Sequence, residues 1–539
     1  MIGADAMVKC LEAEGVKAVF GYPGVAICPF YNSILESDIE SILVRTEQNA
    51  AHAASGLARV TDGIGVCAVT SGPGATNLIT GIATAFADSI PMICITGQVN
   101  SELLGSDVFQ EADITGAVES FVKYSYLVRD AEEIPRIFKE AFHIATTGRK
   151  GPVLIDVPID VQNAPVGKFK YPEEVFLRTY KPTVKGHIQQ IKKVVKELEK
   201  AERPIICAGG GVSLSQAKKE LAEFAEKNQI PVVSTMMGIG TMPTRHPLYF
   251  GMVGNNGKPY ANRAMNEADL IIMVGARVAD RAVSQPDLIV DNKTLIHIDV
   301  DPAEIGKNVG PNIPLVGDAK HIFEDLDEQE FEGDYKEWLD TLIEYRTVME
   351  PKRKEHPGFV DPAEFITMLS GKMDEDAVYV ADVGQNQIWS CGYHIVKKGR
   401  FLTSGGMGTM GYSIPAAMGA KRGDMDRQVI AVCGDGSFQM SMMELATIMQ
   451  HHIPVKIIVI KNNYLGMVRE FQHYTYKDNY SVVDIKDGTP DLEKLAAAYG
   501  IPFIRVADMS HAQDKIKEFL AEDNTMLMEC LVDPMDLVK

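Results

Sequence analysis

Two short segments carry groups that can bind a metal: Gly434-Asp435-Gly436-Ser437 closes one apolar run, and Lys461-Asn462-Asn463-Tyr464 closes the next. Between them lies room for one loop, one helix and one strand. In such a unit both loops leave the carboxyl edge of a parallel sheet, so the side chains of Asp435 and Asn462 can meet. A carboxylate oxygen, an amide oxygen and nearby carbonyls suit an octahedral divalent cation that keeps part of its water. Gly436 and Ser437 open the following helix, where backbone N–H groups without intrahelical partners can hold phosphate. The spacing predicts a Mg²⁺–diphosphate site. An acidic-glycine turn by itself is a common loop and would not establish this.

Three other segments have the composition of a ligand cradle. Ser404-Gly405-Gly406-Met407-Gly408-Thr409-Met410-Gly411 is dense in glycine and lets the backbone approach a flat ligand closely. A methionine in such a loop is, taken alone, more often a packing residue. Arg45-Thr46-Glu47-Gln48-Asn49-Ala50-Ala51-His52 precedes a helical run, and an acid there is ordinarily a solvated helix start. Gly209-Gly210-Gly211 follows a strand, but no GxGxxG spacing completes a dinucleotide fingerprint, so a structural turn is the equal alternative.

Short β-rich runs alternate with helical patterns over nearly the whole chain, which predicts an α/β fold of mostly parallel sheets flanked by helices. At 539 residues three domains are expected: 1–165, 184–330 and 351–539. The proline- and lysine-bearing stretch 164–183 reads as a linker, and the acidic helical stretch 323–345 as a second connector. Lys and Arg number 53 against 73 Asp and Glu, a net charge of −20 with no basic block, so nucleic acid is not an expected partner. The eight cysteines are scattered without a CxxC pair and read as reduced core residues of a cytoplasmic protein. Residues 1–16 are amphipathic with early acids, unlike a signal peptide. No apolar run approaches the ~18 residues needed to span a bilayer, so no membrane partner is expected.

With these segments together, the chain resembles the thiamine-diphosphate enzymes, whose cofactor motif begins Gly-Asp-Gly and ends in an Asn-Asn pair. The resemblance implies thiamine diphosphate and Mg²⁺ as cofactors, with Asp435, Asn462 and the Tyr464 carbonyl as metal ligands. It places Glu47 on the family's cofactor-activating glutamate, which bonds N1′ of the aminopyrimidine. Met410 matches the apolar wedge that bends the cofactor, and Gly408 the residue whose carbonyl receives the 4′-amino group. Gly384, Gln385 and Asn386, in Asp382-Val383-Gly384-Gln385-Asn386-Gln387, resemble the loop holding the diphosphate from the other side, with Asn386 in place of a usual histidine. Gly436, Ser437 and Met467 complete the expected cofactor contacts. The glutamate and diphosphate halves come from different subunits in this family, implying a homodimer or homotetramer with active sites at the subunit interface.

Within that family the chain is most similar to the acetolactate synthase (acetohydroxyacid synthase) catalytic subunits, over nearly its whole length. Thr70-Ser71-Gly72-Pro73-Gly74-Ala75-Thr76-Asn77, Asp88-Ser89-Ile90-Pro91, Phe109-Gln110-Glu111 and His297-Ile298-Asp299-Val300-Asp301-Pro302 carry the similarity. The resemblance implies decarboxylation of pyruvate and transfer of the two-carbon unit to a second 2-oxo acid, giving 2-acetolactate. Phe109 and Gln110 fall near cofactor and substrate. Arg281 matches an arginine at the substrate entrance; its alternative is a surface ion pair. Phe471 stands where a tryptophan is usual, loosening the preference for 2-oxobutyrate. Val25 occupies the second glycine of a Pro-Gly-Gly turn at the substrate, and Ile159 replaces a lysine near the channel mouth. Asn255-Asn256 and Val278-Ala279 depart from Met-His and Phe-Asp pairs beside the place where biosynthetic members carry FAD as a structural passenger. The chain reaches Lys539 without the proline-rich tail of many relatives. A small regulatory subunit is a partner the family allows. Glyoxylate carboligase, another thiamine-dependent lyase or decarboxylase, and a non-catalytic cofactor-binding or regulatory protein on the same fold are the alternatives.

Overall fold

The computed structural model describes residues 1–538 apart from 284, 332, 352 and 353. The first of its three six-stranded sheets contains β1 (Ala18–Tyr22), β2 (Glu40–Leu43), β3 (Gly65–Val69), β4 (Met92–Gln98), β5 (Tyr124–Leu127) and β6 (Pro152–Pro158). The second contains β7 (Pro204–Ala208), β8 (Val232–Ser234), β9 (Tyr249–Met252), β10 (Leu270–Val274), β11 (Thr294–Asp299) and β12 (Ile313–Val316). The third contains β13 (Val378–Ala381), β14 (Arg400–Leu402), β15 (Val429–Gly434), β16 (Lys456–Lys461), β17 (Phe503–Val506) and β18 (Met526–Leu531). Every pairing among these strands is parallel. Helices cover both faces, so central strands such as Leu-Ile-Ile-Met-Val of β10 are apolar throughout rather than alternating.

Strand order decides where ligands can sit. The first and third sheets share one topology, β2-β1-β3-β4-β6-β5 and β14-β13-β15-β16-β18-β17; the second runs β12-β11-β10-β7-β8-β9. In each, the chain reverses its direction of strand addition at a central point, between β1 and β3, β13 and β15, and β7 and β10; the first and third reverse again at one edge, where β6 and β18 insert inside β5 and β17. At such a point the flanking loops diverge and leave a crevice at the carboxyl ends of the strands. The third sheet puts the Gly384 loop and the Asp435 loop on either side of its crevice. The second does the same with the Gly209 and Gly275 loops, and the first with the loops carrying Val25 and Gly72.

The first and third units lock together through helices Glu47–Thr61 and Ser413–Gly423. A Cβ added to Gly56 would lie 1.9 Å from the Ala416 carbonyl oxygen, and one added to Gly419 would lie 1.8 Å from that of Ala53. Only glycine lets these backbones approach so closely.

The stretch 323–345, expected as a connector, folds instead onto the second sheet. Helices Ala319–Asp327 and Lys336–Met349 bury Phe323, Trp338 and Leu342, while Trp338 Nε1 donates to the Pro204 carbonyl at 3.1 Å. Its acidic solvent face conceals this apolar face in a reading by composition. Among the described residues no helix is long and apolar enough to cross a membrane.

Candidate active site

Asp435 and Asn462 do come together. Asp435 Oδ2 accepts from the backbone N–H of Asn463 at 2.7 Å, and Asn462 Oδ1 accepts from that of Tyr464 at 2.9 Å. Asp435 is 2% exposed, and burial above all pushes its carboxyl up to about 6, against the opposing pull of the Asn463 and Gly436 N–H groups. Lys461 opposes the rise only at a distance, and a buried acid with no ion-pair contact among the described residues is what a divalent cation would stabilise. Among the described residues no cluster of three or more His, Cys, Asp or Glu forms a metal cage. The donor set is one carboxylate plus amide and carbonyl oxygens, which suits Mg²⁺ sharing its shell with water and phosphate oxygens.

A pocket of about 60 Å³ beside these residues is lined by Gly384, Gln385, Asn386, Met410, Asp435, Gly436, Ser437, Asn462, Tyr464 and Met467, all of them sequence candidates. Gly384, with φ +135°, caps helix Gln385–Tyr393, and an added Cβ there would meet nothing within 4 Å, leaving space for a ligand. Helix Asp435–Ser441 begins across the crevice, so two helix N-termini offer free N–H groups to one pocket.

Two side chains of this loop are committed within the protein. Asn386, in place of the usual histidine, does not turn its amide hydrogens to the pocket. Its two amide hydrogens are instead spent on the carbonyls of Asp382 (3.1 Å) and Val432 (2.9 Å), which leaves its backbone N–H as the group able to serve. Gln385 likewise turns inward, accepting from Asn462 Nδ2 at 3.0 Å and donating to Glu470 and to the Asp536 carbonyl, each at 3.1 Å. Ser437 donates its hydroxyl to the Val383 carbonyl at 3.0 Å.

The glycine loop containing Gly408 and Met410 is held by carboxylates that sequence reading passed over. Asp382, fully buried, accepts from the N–H groups of Val383, Gly411 and Ser413 at 2.8–2.9 Å; burial raises its carboxyl and these bonds oppose the rise. Asp88 of the first unit accepts from Gly406 at 2.7 Å and Gly405 at 3.3 Å. Asp382 directly follows β13, and that strand-end position is the signal the sequence offers for it.

The first-unit candidates form a separate group. Glu47 is the first residue of its helix and accepts from Asn77 Nδ2 at 3.0 Å. Glu444 of the third unit supports this helix start: its Oε1 accepts from the Arg45 N–H and from Asn49 Nδ2, both at 2.9 Å. Val25 is 77% exposed and Phe109 87%, and Gln110 holds a left-handed φ of +62°. None of Val25, Glu47, Phe109 and Gln110 lines the pocket beside Asp435 and Asn462.

A larger cavity of about 660 Å³ runs from Met467, Gly384, Gly408 and Met410 into the second-sheet crevice at Gly210, Gly211 and Gly275. Arg281 lines it, as do Asn256 and Ala279 from the two departing pairs. Gly209 and Gly211 are required by packing: added Cβ atoms would lie 2.2 Å from the Gly275 oxygen and 2.6 Å from its Cα. Phe471 lies 58% exposed on helix Gly466–Tyr476, edge-on to Tyr476.

Paired sheets of one topology, with an acid-and-amide metal cradle at the crevice of the third, are the architecture of thiamine-diphosphate enzymes. Three family matches agree: thiamine pyrophosphate enzyme, N-terminal TPP binding domain, over residues 1–117; central domain, over 191–326; and C-terminal TPP binding domain, over 382–530. The probable acetolactate synthase large subunit of Methanocaldococcus jannaschii is 44% identical across 99% of this chain and 93% of its own length. The acetolactate synthase large subunit of Corynebacterium glutamicum is 44% identical (94% and 82%), and the isozyme 3 large subunit of Escherichia coli 40% (96% and 92%). The chain belongs to the acetolactate synthase large-subunit family of thiamine-diphosphate- and Mg²⁺-dependent enzymes.

Proposed function

We propose that this chain decarboxylates pyruvate and joins the two-carbon unit to a second 2-oxo acid, forming 2-acetolactate. When bound, thiamine diphosphate supplies the carbon that accepts and delivers this unit. Asp435, Asn462 and the Tyr464 carbonyl would hold Mg²⁺, and backbone N–H groups at Gln385–Asn386 and Gly436–Ser437 would hold the diphosphate. Met410 and the Gly408 carbonyl would seat the aminopyrimidine. Glu47 would hold a proton toward the ring nitrogen at N1′. Phe109, Gln110, Val25 and Phe471 would bound the acceptor, with Arg281 drawing carboxylates into the cavity.

The observation that carries this reading is Glu47. It accepts from Asn77 on a helix start that Glu444 braces through Arg45 and Asn49, and it has no ion pair among the described residues. A binding module has no need of it. Because Glu47 lies off the diphosphate pocket amid exposed Val25 and Phe109, we assign the complete site to a homodimer or larger assembly in which a second copy brings Glu47 to Asp435. FAD is our proposed occupant of the 660 Å³ cavity, a size suited to an organic cofactor. A small regulatory subunit is a further proposal, prompted by relatives named as large subunits.

The test is product formation from pyruvate with thiamine diphosphate and Mg²⁺, with and without FAD, and with 2-oxobutyrate or glyoxylate as competing acceptor. Formation of 2-acetolactate is expected. Untouched pyruvate together with condensed glyoxylate would select the carboligase alternative.

A further inference from the structure

Where the three units meet, a second small cavity of about 60 Å³ opens between Arg59 and Asp62 of the first unit, Lys218 of the second and Arg400 of the third, with Lys150 and Asp88 in its wall. Both acids are engaged. Asp62 pairs with Arg400 at 2.5 Å, and Asp88 accepts the N–H groups of Gly405 and Gly406. Among the described residues Arg59 and Lys150 hydrogen-bond only to neutral groups: Arg59 donates to the Thr403 carbonyl at 2.8 Å and to the Tyr412 hydroxyl at 3.1 Å, and Lys150 to the Leu214 carbonyl at 2.7 Å, while Asp88 acts on Arg59 and Asp62 on Lys150 only through space. Lys218, half-buried, has no hydrogen-bond or ion-pair partner among the described residues.

Lys218 also opens helix Lys218–Asn228, whose N-cap, Ala217, provides no side-chain acceptor. A cation at a helix N-terminus opposes the helix dipole, and an unpaired cation out of water is costly. Burial first, and Arg400 second, depress its ammonium to about 7, with Asp62 pulling the other way. Four cations thus face two carboxylates around one cavity, and among the described residues three of the four have no carboxylate within hydrogen-bond reach. A water needs roughly 10–15 Å³ of such space, so the cavity accommodates a group of about five heavy atoms.

We propose that this junction binds a free tetrahedral oxyanion of the phosphate class, held by Lys218 with Arg59, Lys150 and Arg400 around it. Bound there, the anion would supply the missing counter-charge and tie the three units together.

The experiment compares phosphate and sulfate with chloride at matched ionic strength, by calorimetric titration and thermal unfolding, on the intact protein. Saturable binding and a raised Tm with both oxyanions are expected. Lys218→Met should weaken binding about ten-fold or more, and Lys218→Arg should retain it, one lost ion pair being worth roughly that factor. Sulfate keeps both charges between about pH 6 and 8 while Lys218 loses its proton near 7, so wild-type affinity for sulfate should fall across that window and that of Lys218→Arg should not. A wild-type response no greater than that to chloride overturns the proposal without need of any variant. Unchanged oxyanion affinity in Lys218→Met also overturns it.

Discussion

Nδ2 of Asn462 donates to Oε1 of Gln385 at 3.0 Å, which with the Tyr464 N–H on Asn462 Oδ1 at 2.9 Å fixes the amide at the wall of the pocket it shares with Asp435. Gln385 is itself gripped by Glu470 and by the carbonyl of Asp536, so the C-terminal segment reaches the Asn462 loop through one side chain. Groups behind a metal ligand are often worth as much to affinity as a ligand.

Gln385→Leu should therefore weaken Mg²⁺ binding by about 10–100-fold with the fold intact. Trp389 lines the same pocket, so its fluorescence during Mg²⁺ titration with thiamine diphosphate is the readout. Unchanged affinity would show that Asn462 orients itself.

Glu47→Gln keeps the hydrogen-bonding shape but not the charge. It should leave cofactor and Mg²⁺ affinity within a few-fold while lowering kcat by about 10²-fold or more. A wild-type turnover would remove Glu47 from the chemistry.

The helix crossing makes a stability prediction in both directions. Gly56→Ala and Gly419→Ala drive a methyl into the opposing carbonyl and should each cost about 1–3 kcal/mol or more in denaturant unfolding. Gly371, in helix Pro362–Lys372, has nothing within 4 Å of an added Cβ, so Gly371→Ala should stabilise by about 0.5–1 kcal/mol. Equal effects at the three positions would contradict the packing described.

Asp156 gives the pH dependence. It is 2% exposed, accepts from Thr96 at 2.6 Å and Gln98 at 3.0 Å, and burial pushes it up to about 7. The folded protein holds this proton more tightly than the unfolded chain, so unfolding releases it between about pH 4 and 7. Its contribution is full below the unfolded value and is lost as pH rises to about 7. Asp156→Asn should flatten that part of the stability profile; an unchanged slope would assign it elsewhere.

The parts of the site that were legible were those local in sequence. Asp435 and Asn462 sit one parallel crossover apart, its expected single helix broken into Asp435–Ser441 and Glu444–Gln450, and parallel topology brings them to the same sheet edge. Glu444 and Arg45 are separated by 399 positions and joined only by tertiary packing, so no spacing pointed to that pairing. Asn386 shows a different limit: residue type preserved a donor, but its direction depends on the Asp382 and Val432 carbonyls of neighbouring strands. The helix bearing Trp338 and Leu342 was hidden because its exposed acids outnumber its few anchoring residues.

The composite site is the centre of this account, and subunit complementation tests it most directly. Chains carrying Glu47→Gln and Asp435→Asn, each inactive alone, are co-expressed with different affinity tags, and the doubly tagged assembly is assayed for 2-acetolactate from pyruvate. If Glu47 of one copy serves Asp435 of the other, a symmetric dimer gathers both lesions in one site and leaves its second site intact, giving about half the wild-type rate. A doubly tagged dimer that makes no product would place both groups in the same chain and contradict the account.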